Sequence, residues 1–253
     1  MSLLNRLIGR RETPFATALR AYGFENCATN GPALLIGLPA QGNLAPLTAI
    51  PPDLTRVDFL AAPHQADLIT TFCNSPESRQ IETLTIGTSH HFAEQKHPLP
   101  YDMSPAIKAL DQPLPKVKTL SLGDMMQLFN GGQYYGRLGA IDHIFHLFPA
   151  LEVLQLFGQF SLNSPCAHDR VKTIEATADS IGVSGGPIAQ STVTHLLESK
   201  FENLTRLILE LEEEDAEEPY AIPPTFPDPA RMPNLRHIHI DPIPPEAQNR
   251  LKP

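Results

Sequence analysis

Residues 201–211 read FENLTRLILEL, and the spacing of their leucines decides the fold. Leu204, Leu207 and Leu209 occupy positions 1, 4 and 6 of a six-residue frame. Positions 4 and 6 have the two-residue period of a strand, which puts both side chains on one face. Position 1 falls in the turn that leads into that strand. The same frame recurs at Leu54, Val57 and Phe59, and at Ile81, Leu84 and Ile86. It returns at Val117, Leu120 and Leu122, then at Leu151, Leu154 and Leu156. Val171, Ile174 and Ala176, and finally Leu235, Ile238 and Ile240, complete a set of seven. Successive starts lie 27, 36, 34, 20, 33 and 31 residues apart. A bulky apolar residue stands three places ahead at Leu114, Phe148, Phe201 and Met232, and proline follows three of these four.

Helical signals separate the frames. In RLGAIDHIFHLF (137–148) Leu138, Ile141, Ile144 or Phe145, and Phe148 repeat at helical spacing, and Ile188, Val193, Leu196, Leu197 and Phe201 do likewise. Ser104-Pro105 reads as an N-cap followed by proline at the first helical position. The segment from 151 to 171 has room only for a short or irregular crossover. A strand, a helix and a return to a parallel strand make one turn of a solenoid, which hides its apolar face only against its neighbours. The expected fold is therefore α/β: a right-handed, leucine-rich-repeat-like solenoid of about seven irregular repeats. Its curved parallel sheet would carry helices or irregular connections on the convex side. The solenoid spans 51–253, and 1–50 serves as an N-terminal capping region. That cap would hold a helix from Thr13-Pro14 to about Tyr22 and an extra strand at ALLIG (33–37). A doubly wound α/β sheet would use the same signals. A membrane-surface helix built from Leu3, Leu4, Leu7 and Ile8 with Arg6, Arg10 and Arg11 is the alternative for the first residues.

From 54 to 241 the chain resembles bacterial leucine-rich-repeat proteins, found alone or appended to WGR domains in molybdate-metabolism-regulator-like proteins. The likeness is carried by LTIG (84–87), LPKVKTLSLGD (114–124), FPALEVLQLFG (148–158), VSGGPI (183–188) and FENLTRLILEL (201–211). It implies a repeat scaffold with no active site to carry over. The chain contains no WGR domain. It has EEEDAEE (212–218) where such proteins tend to have an aromatic, glycine-rich loop.

Composition narrows the function. Apolar residues at 42% and charged residues at 19% are ordinary for a globular chain, and no apolar run reaches the ~20 residues of a membrane span. MSLLNRLIGRR has too short an apolar stretch for a signal peptide. Cys27, Cys73 and Cys166 are odd in number and widely spaced, which suits neither a disulfide framework nor a zinc site. A reduced, cytoplasmic setting is expected. Net charge is −9, yet residues 210–218 alone hold seven carboxylates, leaving −2 for the rest. No basic patch suited to phosphates is visible in sequence, which speaks against nucleic acid as a partner.

Candidate chemistry is sparse. Gly182-Val183-Ser184-Gly185-Gly186 matches the G-x-S-x-G elbow of serine hydrolases, but the strand that should precede it ends about eight residues earlier, near Ala176. His195 follows on the next helix. His237 and His239 alternate in HIHID and share a face, although a zinc site wants three or four ligands. His90, His91, His97, His143 and His146 share no convergent frame. An enzyme is not expected, nor a cofactor or resident metal; Ser184 hydrolysis and a His237/His239 metal sensor are the alternatives.

What remains is surface. Position 3 reads Arg56, Thr83, Thr119, Val153, Thr173, Arg206 and His237. Position 5 reads Asp58, Thr85, Ser121, Gln155, Glu175, Ile208 and His239. The polar members of these columns form an expected partner-binding face. Glu212, Glu213, Glu214 and Asp215 form an acidic rim leaving the strand after Leu209. Such a surface suits a basic protein partner, as in an immunity or antitoxin-like role. The run lacks the ligand spacing and glycine of a calcium loop.

Overall fold

The computed structural model describes residues 27–30, 33–36, 54–60, 66–87, 102–123, 136–178, 188–211 and 220–251. Strands β1 (Cys27–Asn30), β2 (Ala33–Ile36), β3 (Arg56–Leu60), β4 (Thr83–Gly87) and β5 (Thr119–Gly123) come first. They are followed by β6 (Arg137–Ala140), β7 (Val153–Phe157), β8 (Gln159–Ser161), β9 (Thr173–Ala178), β10 (Arg206–Leu211) and β11 (His237–Asp241). The main sheet has the order β1-β2-β3-β4-β5-β7-β9-β10-β11, while β6 and β8 pair separately. Among the described strands only β1 and β2 are antiparallel; the other pairings are parallel. The protein is thus α/β with a mostly parallel sheet and few helices.

All seven frames expected from the sequence are strands of this sheet, adjacent and in one register. Arg56, Thr83, Thr119, Val153, Thr173, Arg206 and His237 form one continuous line across it. The register is locked at position 2. The carbonyls of Thr55, Glu82, Lys118, Glu152, Lys172 and Thr205 each accept two N–H groups, from positions 2 and 3 of the following strand, at 2.7–3.1 Å. Positions 1, 4 and 6 face inward. Leu84, Leu120, Leu154, Ile174 and Leu207 are fully buried, as are Ile81, Val117, Leu151, Val171 and Leu204. Each such aliphatic side chain contributes about 1.5–3 kcal/mol by leaving water. On β11 the pattern loosens, and Leu235 and Ile238 are only half-buried.

Ahead of the frames at Val117, Leu151, Leu204 and Leu235, the residue three places earlier closes a tight turn. The N–H groups of Val117, Leu151, Leu204 and Leu235 donate to the carbonyls of Leu114, Phe148, Phe201 and Met232 at 2.9–3.3 Å. Pro115, Pro149 and Pro233 take the second place of such turns, where a fixed φ near −65° is favourable. At Val171 the turn is built differently. Here His168 stands three places ahead, and its Nδ1 accepts the N–H groups of Arg170 and Val171 at 3.1 and 3.2 Å. Its Nε2 meets the Phe148 carbonyl at 3.0 Å.

The connections carry α1 (Ala66–Asn74), a 3₁₀ turn at Pro76–Gln80, α2 (Ser104–Lys108), α3 (Ile144–Leu147), α4 (Gln190–Leu197) and α5 (Pro245–Gln248). Several expectations need correction here. Residues 137–148 are not one helix: the first four form β6, and only Ile144–Leu147 are helical. Gly139 has φ +74°, which a continuous helix cannot include, and Leu138 is turned into the core beside Gly123. The 151–171 connection is irregular, as its length implied, but it also contributes β8 as the partner of β6. Ser104 is not the cap of α2. Met103 holds that place, and the Ser104 N–H donates to Asp102 Oδ1 at 2.9 Å. Strand β9 runs on to Ala178 and β10 to Leu211, because both terminal side chains extend the inward alternation and are buried. The helix expected at 13–22 lies outside the described residues, whereas the strand expected at 33–37 is β2.

Candidate functional site

On the side of the sheet opposite the core, side chains from four strands form three rows. Val153, Thr173, Arg206 and His237 make the first and Gln155, Glu175, Ile208 and His239 the second; Phe157, Thr177, Glu210 and Asp241 make the third. All twelve are exposed or half-exposed. Exposure rises towards β11, where His237, His239 and Asp241 are open to solvent.

The earlier strands differ. Asp58, Thr85 and Ser121, expected on the same open face, are 8%, 4% and 2% exposed. Thr83 and Thr119 are half-buried, and Arg56 is exposed with its Nε 2.9 Å from Asp58 Oδ2. The accessible part of the expected surface is therefore its β7–β11 end.

A hydrogen-bonded line crosses this end. Ser121 Oγ donates to Gln155 Oε1 at 2.8 Å, and Gln155 Nε2 donates to Glu175 Oε2 at 2.9 Å. Arg206 Nε lies 3.3 Å from the other oxygen, Glu175 Oε1. The line joins β5, β7, β9 and β10 and holds Gln155 and Glu175 in fixed rotamers. A face with ordered polar groups loses less side-chain entropy when a partner covers it.

Charge is segregated along the strands. Arg206 and His237 sit in the first row, and Glu210 and Asp241 sit in the third, about 13 Å further on at the rise of a strand. Glu210, the first of the acidic run, lies on β10 itself and accepts a bond from Thr177 Oγ1 at 3.3 Å. Glu212, Glu213, Glu214 and Asp215 lie outside the described residues, as does Ser184 with its glycines.

Two features were not anticipated. Once the strands are aligned, position 2 shows alternating charge: Glu82, Lys118, Glu152 and Lys172. Lys118 Nζ is 2.9 Å from Glu82, and Lys172 Nζ is 2.8 Å from Glu152. The bond from Lys172 holds the Glu152 carboxyl below its ordinary pKa, with Lys118 and Arg170 adding to the effect. The second feature is a pocket of about 490 Å³ at β11. Three guanidiniums (Arg206, Arg236, Arg250) and two imidazoles (His237, His239) line it beside Ile238, and among the described residues no carboxylate does. Arg236 immediately precedes the HIHID strand, and the sequence signal was there: RHIH puts an arginine and two histidines together in an acidic chain.

Two other histidines serve the backbone. His143 Nε2 meets the Ile107 carbonyl at 3.2 Å, and His195 Nδ1 meets the Leu162 carbonyl at 2.8 Å. His146 is exposed; His90, His91 and His97 lie outside the described residues. Among the described residues no group of three His, Cys, Asp or Glu side chains is placed to hold a metal. Among them, too, no helix is long and apolar enough to cross a membrane.

No protein-family model matches this chain. No curated protein matches it either. One solved structure, a protein from Bacteroides fragilis determined by a structural genomics consortium, matches over 74% of this chain at 16% identity with a TM-score of 0.47. The chain spans about half of that protein, 52% of its length.

Proposed function

We propose that this protein is a non-enzymatic scaffold that holds another protein on the open face of its sheet. In this reading it is a short leucine-rich-repeat-like solenoid, and its acidic rim at 210–218 attracts a basic partner. Neutralisation of a basic effector or toxin in the cytoplasm, an immunity or antitoxin-like role, is the biology that fits such a charge best. The observation that carries the reading is the continuous register of β7, β9, β10 and β11, with three ordered rows of side chains open to solvent. A broad face with fixed hydrogen-bonding groups suits macromolecular recognition better than turnover of a small substrate. Carboxylates at one end of the face, continuing into the acidic run, would accelerate encounter with a cationic protein.

The test is capture of partners from host lysate at low and high salt, with two variants alongside the parent protein. In one variant Glu212, Glu213, Glu214 and Asp215 become lysine; in the other Gln155→Arg and Ile208→Glu disrupt the face. The expected result is a basic protein retained by the parent, eluted by salt, and lost from both variants. Equal retention by both variants would remove the face and the rim from the account.

A further inference from the structure

We infer that the outer edge of β11 is a docking site for an extended acidic peptide segment, which would join the sheet as a further strand. Three observations converge there. First, β11 pairs with β10 alone, and no described residue pairs with its other side. The His237 N–H donates to the Thr205 carbonyl at 3.0 Å. By the alternation of a parallel ladder, His237, His239 and Asp241 turn their backbone groups towards β10. Ile238 and Ile240 then turn theirs outward, to the unpaired edge.

Second, the 490 Å³ pocket lies along that edge. It is bounded by His237 and His239 from one face of β11 and by Ile238 from the other. Side chains from both faces of a single strand meet in one pocket only where the strand ends the sheet. Ile238 is half-exposed, whereas its counterparts in the same column, such as Leu207 and Ile174, are fully buried. The last strand therefore retains apolar area that an added strand would cover.

Third, the charge of the pocket selects the occupant. The side chains of Arg236, His237 and His239 have no hydrogen-bond or ion-pair partner among the described residues, and none of the described residues in the pocket wall is a carboxylate. Arg206 is shared with Glu175, and Arg250 is spent on the carbonyls of Ile222, Pro223 and Pro224. Neighbouring side chains on paired strands stand about 5 Å apart. Carboxylates at alternate positions of the added strand would meet His237 and His239, and an apolar residue between them would lie beside Ile238. The recognition pattern is carboxylate, apolar, carboxylate. This site does not depend on the basic partner proposed above, which would use the opposite charge at the other end of the strands.

The experiment titrates the full chain into a fluorescent peptide of about eight residues alternating Glu and Val, read by anisotropy. Controls are the same peptide with Lys for Glu, and one with alternate backbone amides methylated. Binding of the Glu peptide is expected, with no binding of the Lys peptide. At least about tenfold loss is expected on methylation of the amides that pair with β11, and a similar loss in the double variant His237→Glu, His239→Glu. Both histidines are exposed, so the double variant should keep the parent's urea midpoint. Equal binding of the methylated peptide would mean contact by charge without strand pairing, and would overturn the proposal. So would indifference to the histidine substitutions. A chain that sediments as a dimer and takes no peptide would overturn it in favour of a second copy at this edge.

Discussion

The Nδ1 atom of His168 accepts the N–H of Val171 at 3.2 Å, doing with a side chain what a backbone carbonyl does ahead of other frames. This is the shortest spacing between frames, and the imidazole there also reaches the Phe148 carbonyl of the preceding turn. The ring is 7% exposed and lies 6.3 Å from Phe145, which in turn contacts Phe201. His168 thus ties three successive turns together.

Replacing that ring separates its hydrogen bonds from its bulk. His168→Leu leaves the buried Val171 N–H without an acceptor and should cost roughly 2–3 kcal/mol. His168→Asn keeps an oxygen able to accept from residues two and three places on, and should cost about 1 kcal/mol. Urea midpoints of the two variants measure the difference. Equal losses would mean the ring acts by packing alone.

Gly123 offers a second test. Its φ is +101°, and a Cβ there would lie 1.9 Å from the Phe157 carbonyl oxygen on the adjacent strand. Gly123→Ala should therefore destabilise by roughly 3 kcal/mol or more, since both the dihedral and the strand pairing must yield. Thermal unfolding reads the loss. An unchanged Tm would show that β5 and β7 do not approach as described.

The Glu152–Lys172 pair predicts a pH effect. A carboxyl whose folded pKa is depressed adds stability above its unfolded value, about 4.3, and that contribution disappears as pH falls through the folded pKa. Because both groups are substantially exposed, the contribution is about 0–1 kcal/mol and shrinks with salt. In Lys172→Met the Glu152 titration midpoint, followed by carbon NMR, should move upward. A midpoint that stays in place would exclude the lysine as its cause.

Burial, with Asp111 adding, pushes the Cys73 thiol up to about 12; burial and Asp142 push Cys166 up to about 11. Thiolate is the reactive form, so at pH 8 both should resist iodoacetamide in the native protein and react on unfolding in urea. Peptide mapping by mass spectrometry distinguishes the states. Rapid native modification of Cys73 would contradict its place on the buried face of α1.

The strands were legible because Leu207 and Leu209 keep a period that only a pleated, one-sided burial requires. The same pattern at six other sites turned a weak signal into a register. The connections were less legible for a physical reason. Leu138, Ile141 and Phe145 have helical spacing, but Gly139 and the pairing of β6 with β8 override it. Charge at position 2 became visible only after alignment, since Lys118 and Glu82 are 36 residues apart. The burial of Ser121 and Thr85 had no signal at all in a frame that assigns every position 5 to the open side.

The carbonyls that each hold two donors of the next strand have a consequence for how such a chain can change over generations. They set the register where each strand begins and the parallel ladder carries it onward, so the stretch between two frames can gain or lose residues without shifting that register; distances of 20 to 36 already coexist. A single residue inserted between positions 1 and 6 has no such freedom. It would turn buried leucines outward, and lengthening events should be confined to the linkers.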